Sequence, residues 1–166
     1  SNEVWGMVQD KKERIWMASY EGVNIYDPES ETLKLLKIPA RLGSNDNRGI
    51  TKLSEDEFFI GSVGGFRIVN LNSETITAYS SNSETASLFW RATMTEDGLI
   101  WISSNNGIIV FDRGKNEMKK LDAFSGLAGN TIWTTVGPDH SGLIWLASDS
   151  GINAIDPKKE TVSFIG

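Results

Sequence analysis

The stretch Glu96-Asp97-Gly98-Leu99-Ile100-Trp101-Ile102-Ser103-Ser104-Asn105-Asn106-Gly107-Ile108-Ile109-Val110-Phe111-Asp112 reads as two short apolar runs held between turn residues. Asp97-Gly98 suits a tight hairpin turn, and Asn106-Gly107 supplies a second. Extending outward, Phe89 to Met94 precedes the first turn as a strand. Arg113-Gly114-Lys115-Asn116 turns the chain again into Glu117 to Leu121. The expectation is a four-stranded antiparallel meander, with no segment long enough or periodic enough for a helix.

The same spelling occurs four times. An aromatic anchor is followed six places later by glycine and five places after that by an acid or amide: Trp16, Gly22 and Asp27; Phe59, Gly65 and Asn70; Trp101, Gly107 and Asp112; Trp145, Gly151 and Asp156. A serine stands three places after every anchor (Ser19, Ser62, Ser104, Ser148). An apolar residue precedes each anchor, and another follows each glycine. Anchors at 16, 59, 101 and 145 give a period near 42, which suits one propeller blade per unit. The fold expected is all-β: four four-stranded antiparallel β-propeller blades at about 3–37, 48–80, 88–121 and 130–165, in a single segment over 1–166. Propellers close with about four to eight blades, so four units read as an arc of a larger propeller. An arc leaves its end blades uncovered, and further blades or a second copy of the chain are the expected cover.

Each repeated residue has a scaffold role. The glycine admits a positive φ or a close backbone approach. The aromatic anchor packs against the next blade, and the closing Asp or Asn accepts bonds from the following turn. Function is therefore sought where the units differ. The second unit departs most: its anchor is Phe59, its first hairpin reads as two residues shorter, and Ile50 stands where the neighbours carry Trp5, Trp90 and Trp133.

Composition excludes several classes. A net charge of −6 with no basic cluster longer than Lys119-Lys120 or Lys158-Lys159 argues against nucleic acid and anionic membrane. No apolar run spans a bilayer, so no direct membrane contact is expected of this segment. With no cysteine, disulfides and thiolate metal sites are excluded. The chain enters a repeat at once and stops just after one, as a piece of a longer protein would.

The hairpins Glu96-Asp97-Gly98-Leu99-Ile100-Trp101-Ile102 and Asp139-His140-Ser141-Gly142-Leu143-Ile144-Trp145-Leu146, with the downstream Ser-x-x-Gly-Ile and Asp, resemble the two-component regulator propeller repeat. The resemblance covers all four units. It implies the ligand-sensing periplasmic region of an inner-membrane hybrid sensor histidine kinase, non-catalytic in this segment and without cofactor. Similar hairpins occur in streptogramin-lyase-like propellers and Asp-box proteins. A lyase-type enzyme and a propeller used purely for protein interaction are thus the alternatives.

The inventory for catalysis is thin. His140, the one histidine, falls in a hairpin turn, and the second histidine of a lyase-like site is missing. Asp10, Asp56, Asp97 and Asp139 do not spell a calcium loop, so no metal is expected, and acids in such turns more often bond their own backbone. Binding is better supported. The loops between second and third strands share a face with the loops entering first strands, Arg41 to Arg48, Ser81 to Ser87 and Ser125 to Asn130, and all differ between units. Tyr20, Arg48, Trp90, Arg91, Asn105, Asn106, Asn130 and Asp149 are the candidates there. Their mixture of aromatic rings with Asn, Asp and Arg suits a carbohydrate or another extracellular small molecule.

Overall fold

The computed structural model describes residues 3–36, 44–73, 75–81 and 88–165. Among them sixteen strands form four sheets of four, each in plain chain order. Sheet 1 is β1 (Val4–Gln9), β2 (Ile15–Ser19), β3 (Gly22–Asp27) and β4 (Thr32–Leu36); sheet 2 is β5 (Asn47–Lys52), β6 (Glu57–Ser62), β7 (Gly65–Asn70) and β8 (Thr75–Ser80). Sheet 3 is β9 (Phe89–Met94), β10 (Ile100–Ser104), β11 (Gly107–Asp112) and β12 (Glu117–Leu121); sheet 4 is β13 (Ile132–Val136), β14 (Ile144–Ser148), β15 (Gly151–Asp156) and β16 (Thr161–Ile165). A single 3-10 turn, Ala123–Ser125, is the one helical element among the described residues. The chain divides into two compact units: sheets 1 and 2 with Leu88–Trp90, and the remainder of sheets 3 and 4.

The three hairpins of each sheet explain the repeated residues. The first is closed by one backbone bond in all four sheets: Asp10 to the Arg14 carbonyl, Leu53 to Glu57, Thr95 to Leu99 and Asp139 to Leu143, at 2.9 to 3.0 Å. The first hairpin of sheet 2 is therefore no shorter than that of sheet 1. Thr51 faces Phe59 as Val8 faces Trp16, and only β6 begins one residue earlier than its counterpart β2. At the second hairpin the recurring serine donates its hydroxyl to the carbonyl of the recurring glycine. The distances are 3.0 Å in Ser19–Gly22, 2.9 Å in Ser62–Gly65, 2.8 Å in Ser104–Gly107 and 3.0 Å in Ser148–Gly151. Gly107 is required twice over: its φ is +88°, and a Cβ there would run into the Leu121 carbonyl. At the third hairpin the closing residue caps its turn. Asp27, Asn70, Asp112 and Asp156 accept backbone N–H bonds from residues two or three places on, at 3.0 to 3.3 Å.

Alternation within these strands builds the cores. In the first unit Trp16, Ala18, Val23, Ile50, Phe58, Ile60 and Val69 bury one face of sheet 1 against sheet 2, with the Trp16 and Phe58 rings edge to face at 5.4 Å. In the second unit Trp101, Ile108, Leu127, Ile132, Ile144, Leu146 and Ile155 do the same for sheets 3 and 4. Trp16 and Trp101 thus sit against the following sheet as the repeat predicts. Phe59 is fully buried and packs on Phe66, which in turn meets Phe89. The opposite face of sheet 1 leaves Met7 and Leu33 each 64% exposed, and in the second unit Val136 is 63% and Ile165 54% exposed.

Candidate functional site

The strand register corrects the reading of the deviant sheet. Pairing shifts between Val4 and Gly6 in β1, between Asn47 and Gly49 in β5, and between Ile132 and Thr134 in β13. Trp5, Arg48 and Trp133 are the bulged residues, extra to the ladder and free to aim away from it. Ile50 instead faces Ile60, as Met7 faces Met17. Arg48, not Ile50, therefore takes the place that tryptophan holds in sheets 1 and 4.

Around Arg48 the first unit gathers three side chains. The Nη1 group donates to the Tyr20 hydroxyl at 2.9 Å, while Nη2 and Nε meet the two carboxylate oxygens of Asp46, each at 2.9 Å. The guanidinium lies 4.7 Å from the centre of the Tyr20 ring and 5.5 Å from that of Trp5. Those two rings meet edge to face at 5.9 Å. A planar, always-charged guanidinium suits this combination of forked pairing and stacking. Trp5 remains 42% exposed, and the Arg48 and Asp46 side chains 23% and 27%, so all three side chains are partly open to solvent.

A buried layer holds this group in place. The Asn47 amide donates to the Ser19 carbonyl at 3.0 Å and to the Asn45 carbonyl at 2.8 Å, tying the β5 entry to the β2–β3 hairpin. Arg67, 1% exposed, donates to the Asn47 side-chain oxygen and the Ser62 hydroxyl, each at 3.2 Å, and to the Ser44 carbonyl. Burial pulls the Arg67 pKa down from its ordinary value. Neither Trp5 and Asp46 nor Arg67 was among the sequence candidates. For Trp5 the available signal was its offset of eleven residues from Trp16, shared by Arg48 with Phe59 and Trp90 with Trp101, against twelve for Trp133 with Trp145.

The remaining candidates fall as follows. Trp90 is half-buried, and its carbonyl lies against Gly49, where a Cβ would collide with it. In the second unit Asn105, Asn106, Asn130 and Asp149 share one edge. The Gly107 N–H donates to the Asn130 carbonyl at 2.6 Å, the Asp149 backbone N–H donates to the Thr131 carbonyl at 3.1 Å, and a Cβ at Gly129 would collide with the Asp149 carboxylate. The Asn130 side chain accepts from the Ala123 N–H at 3.0 Å, which folds its own loop. Asn153 steadies that loop, accepting from the Ala128 N–H at 2.8 Å and donating to its carbonyl at 3.0 Å. Arg91 is half-buried, its backbone bonded to the Ser103 hydroxyl. Residues 41–43 and 82–87 of the entry loops, and residue 37 at the end of the first expected blade, lie outside the described residues.

The opposite strand ends hold the titratable groups. Asp10 accepts from the Lys12 and Arg14 amides at 2.9 and 3.0 Å, from Arg14 Nε at 2.7 Å and from the Trp16 indole at 2.9 Å. Burial pushes its carboxyl up, and the bonds from Trp16 and Arg14 outweigh this, so its pKa lies below 3.8. Asp139 repeats the pattern on Trp145 at 2.7 Å, and that bond is the first cause of its lowered pKa. In sheet 3 Thr95 stands at this position, and the buried Trp101 indole N–H has no partner among the described residues. His140 is exposed in its turn. Among the described residues no three His, Cys, Asp or Glu side chains cluster as a metal ion requires, and no helix is long and apolar enough to cross a membrane.

Set beside solved structures, these sheets have close counterparts. The extracellular domain of a protein from B. thetaiotaomicron, assigned as a hybrid two-component system, superposes with a TM-score of 0.80 at 20% identity, over 99% of this chain and 25% of that one. A second such domain from the same organism gives 0.77 at 19% identity, over 99% and 22%. Virginiamycin B lyase from Staphylococcus aureus gives 0.73 at 13%, over 99% and 56%. The chain has the β-propeller fold. Its sheets are blades, and the chain spans about a quarter of the length of the extracellular domains it is similar to. No family model matches the chain, and no curated protein does.

Proposed function

We propose that the chain is a ligand-sensing propeller segment from the periplasmic region of a two-component sensor histidine kinase, and that its blade 1 and blade 2 edge recognises a carbohydrate or another extracellular small molecule. The observation that carries the reading is Arg48 at a bulge where blades 1 and 4 present tryptophan. There it is stacked on Tyr20 and Trp5 and paired with Asp46. An exposed ring beside a guanidinium and a carboxylate offers a pyranose an apolar face to stack on and paired groups for its hydroxyls. The bonds from Asn47 and Arg67 preorganise that edge, which lowers the ordering cost of binding. The similarity to extracellular domains of two-component systems supports the sensor context. The exposed apolar residues Met7 and Leu33 in blade 1, and Val136 and Ile165 in blade 4, support cover by further blades or a second copy.

The test is a panel of mono- and oligosaccharides screened on an array, followed by calorimetric titration of the best binder. Arg48→Ala and Trp5→Ala should each weaken that sugar at least about tenfold, near 1.4 kcal/mol. Glu117→Gln, an exposed change in blade 3, should leave it unchanged. Absence of binding across the panel, or equal binding by all three variants, refutes the assignment.

A further inference from the structure

At the other end of the same strands, the first unit carries a cleft of about 240 Å³ whose two walls differ in kind. The blade 2 wall is Val69, Leu71 and Ile76 with Asn70, and it is almost wholly apolar. The blade 1 wall has an apolar base of Trp16, Ile25 and Leu36 beneath four cationic side chains, Lys11, Lys12, Arg14 and Lys34. Lys34 faces Ile25, which faces Trp16, so register puts the three in one cross-strand row on the blade 2 side of the sheet.

Two of the four cations are already committed. Arg14 is paired with Asp10 at 2.7 Å, and Lys11 reaches Asp56 at 2.6 Å and the Asn72 carbonyl oxygen at 2.7 Å. The Asp10 carboxylate is in turn saturated by Arg14, Trp16 and two backbone amides. Lys12 and Lys34 have no side-chain partner among the described residues. In a chain of net charge −6, two uncompensated ammonium groups over an apolar cleft form a local reversal of sign. Low-dielectric walls strengthen such a field toward an anion.

We propose that this cleft binds a small amphipathic organic anion. The apolar body lies between Trp16 and the Val69, Leu71 and Ile76 wall, and the carboxylate or sulfonate faces Lys12 and Lys34. The volume falls just under the roughly 300 Å³ at which small-molecule pockets begin, which limits the body to about three rings at most. This site is independent of the Arg48 edge, since the two lie at opposite ends of β2.

Anilinonaphthalene sulfonate is the probe, with phenylnaphthylamine as its uncharged counterpart, titrated by fluorescence against the full chain. The sulfonate should bind at one saturable site. The double variant Lys12→Glu/Lys34→Glu should weaken it at least about tenfold, and Lys12→Gln/Lys34→Gln by less, while phenylnaphthylamine distinguishes none of the three proteins. Circular dichroism in the aromatic region confirms that the variants fold. Equal sulfonate binding by wild type and the Glu variant would mean adsorption to the exposed apolar faces and overturns the proposal, as does absence of saturable binding.

Discussion

Replacing Asp10 by alanine tests how far one carboxylate organises a blade. The side chain is fully buried and accepts bonds from Trp16, from Arg14 and from the amides of residues 12 and 14. Its loss strands the indole N–H of a tryptophan only 5% exposed, at a cost of about 1 to 3 kcal/mol. The two amide bonds add roughly 1 kcal/mol each where water does not replace them. The partly exposed Arg14 pair contributes no more than about 1 kcal/mol, and removing a buried charge returns some of the total. The net expectation is a loss of about 2 to 4 kcal/mol, or very roughly 4 to 16 °C in melting temperature for a chain of this size. Asp10→Asn should fall between, because it keeps an acceptor for the backbone but presents a donor or a misplaced oxygen to the indole. The folded-state pKa of Asp10 is depressed, so its stabilisation is present above the unfolded value near 3.8 and disappears as pH falls through the lower folded value. Thermal and urea unfolding of wild type and Asp10→Asn from pH 7 to pH 3 is the assay, and the gap between them should hold down to about pH 4 and then close. An Asp10→Ala cost under about 0.5 kcal/mol, the range of an ordinary surface change, would refute the reasoning.

Blade 3 offers the converse: Thr95→Asp with Asp97→Ser, which removes the neighbouring acid, should give the orphaned Trp101 indole its acceptor and raise stability by about 1 kcal/mol, read by urea unfolding. Gly107→Ala and Gly98→Ala separate strain from collision. Both have positive φ, near +88° and +84°, but only Gly107 is backed by a carbonyl, so Gly98→Ala should cost about 1 kcal/mol and Gly107→Ala at least twice that. Arg67→Met should loosen the β5 entry. Amide exchange at Asn47 and Arg48 should rise, and sugar affinity at the Arg48 edge should drop about tenfold without any contact to the ligand being removed.

Much of the fold was legible because its information is local. The turn residues and alternation in Asp97-Gly98 to Asp112 place strands to within one or two positions, and Ser104, Gly107 and Asp112 act inside the hairpins that spell them. Of the candidate site, Tyr20 and Arg48 were named because they vary between repeats, and the structure brings these two together. Trp5 and Asp46 were missed because apolar likeness drew Ile50 into the tryptophan's place, whereas the bulge puts Arg48 there. Arg67 was invisible for another reason: an arginine in a strand reads as solvent-facing, and its burial rests on carbonyl and hydroxyl partners spread over residues 44 to 62.

The bulges at Trp5, Arg48 and Trp133 have a consequence for how such a protein diversifies. A residue outside the hydrogen-bonded ladder can be exchanged without breaking a pairing or opening the interior, so the blade tolerates arginine as readily as tryptophan there. Each of these three blades then carries one exchangeable slot on a common frame. Selection can rewrite the chemistry shown at that strand end one slot at a time while the frame stays as it is.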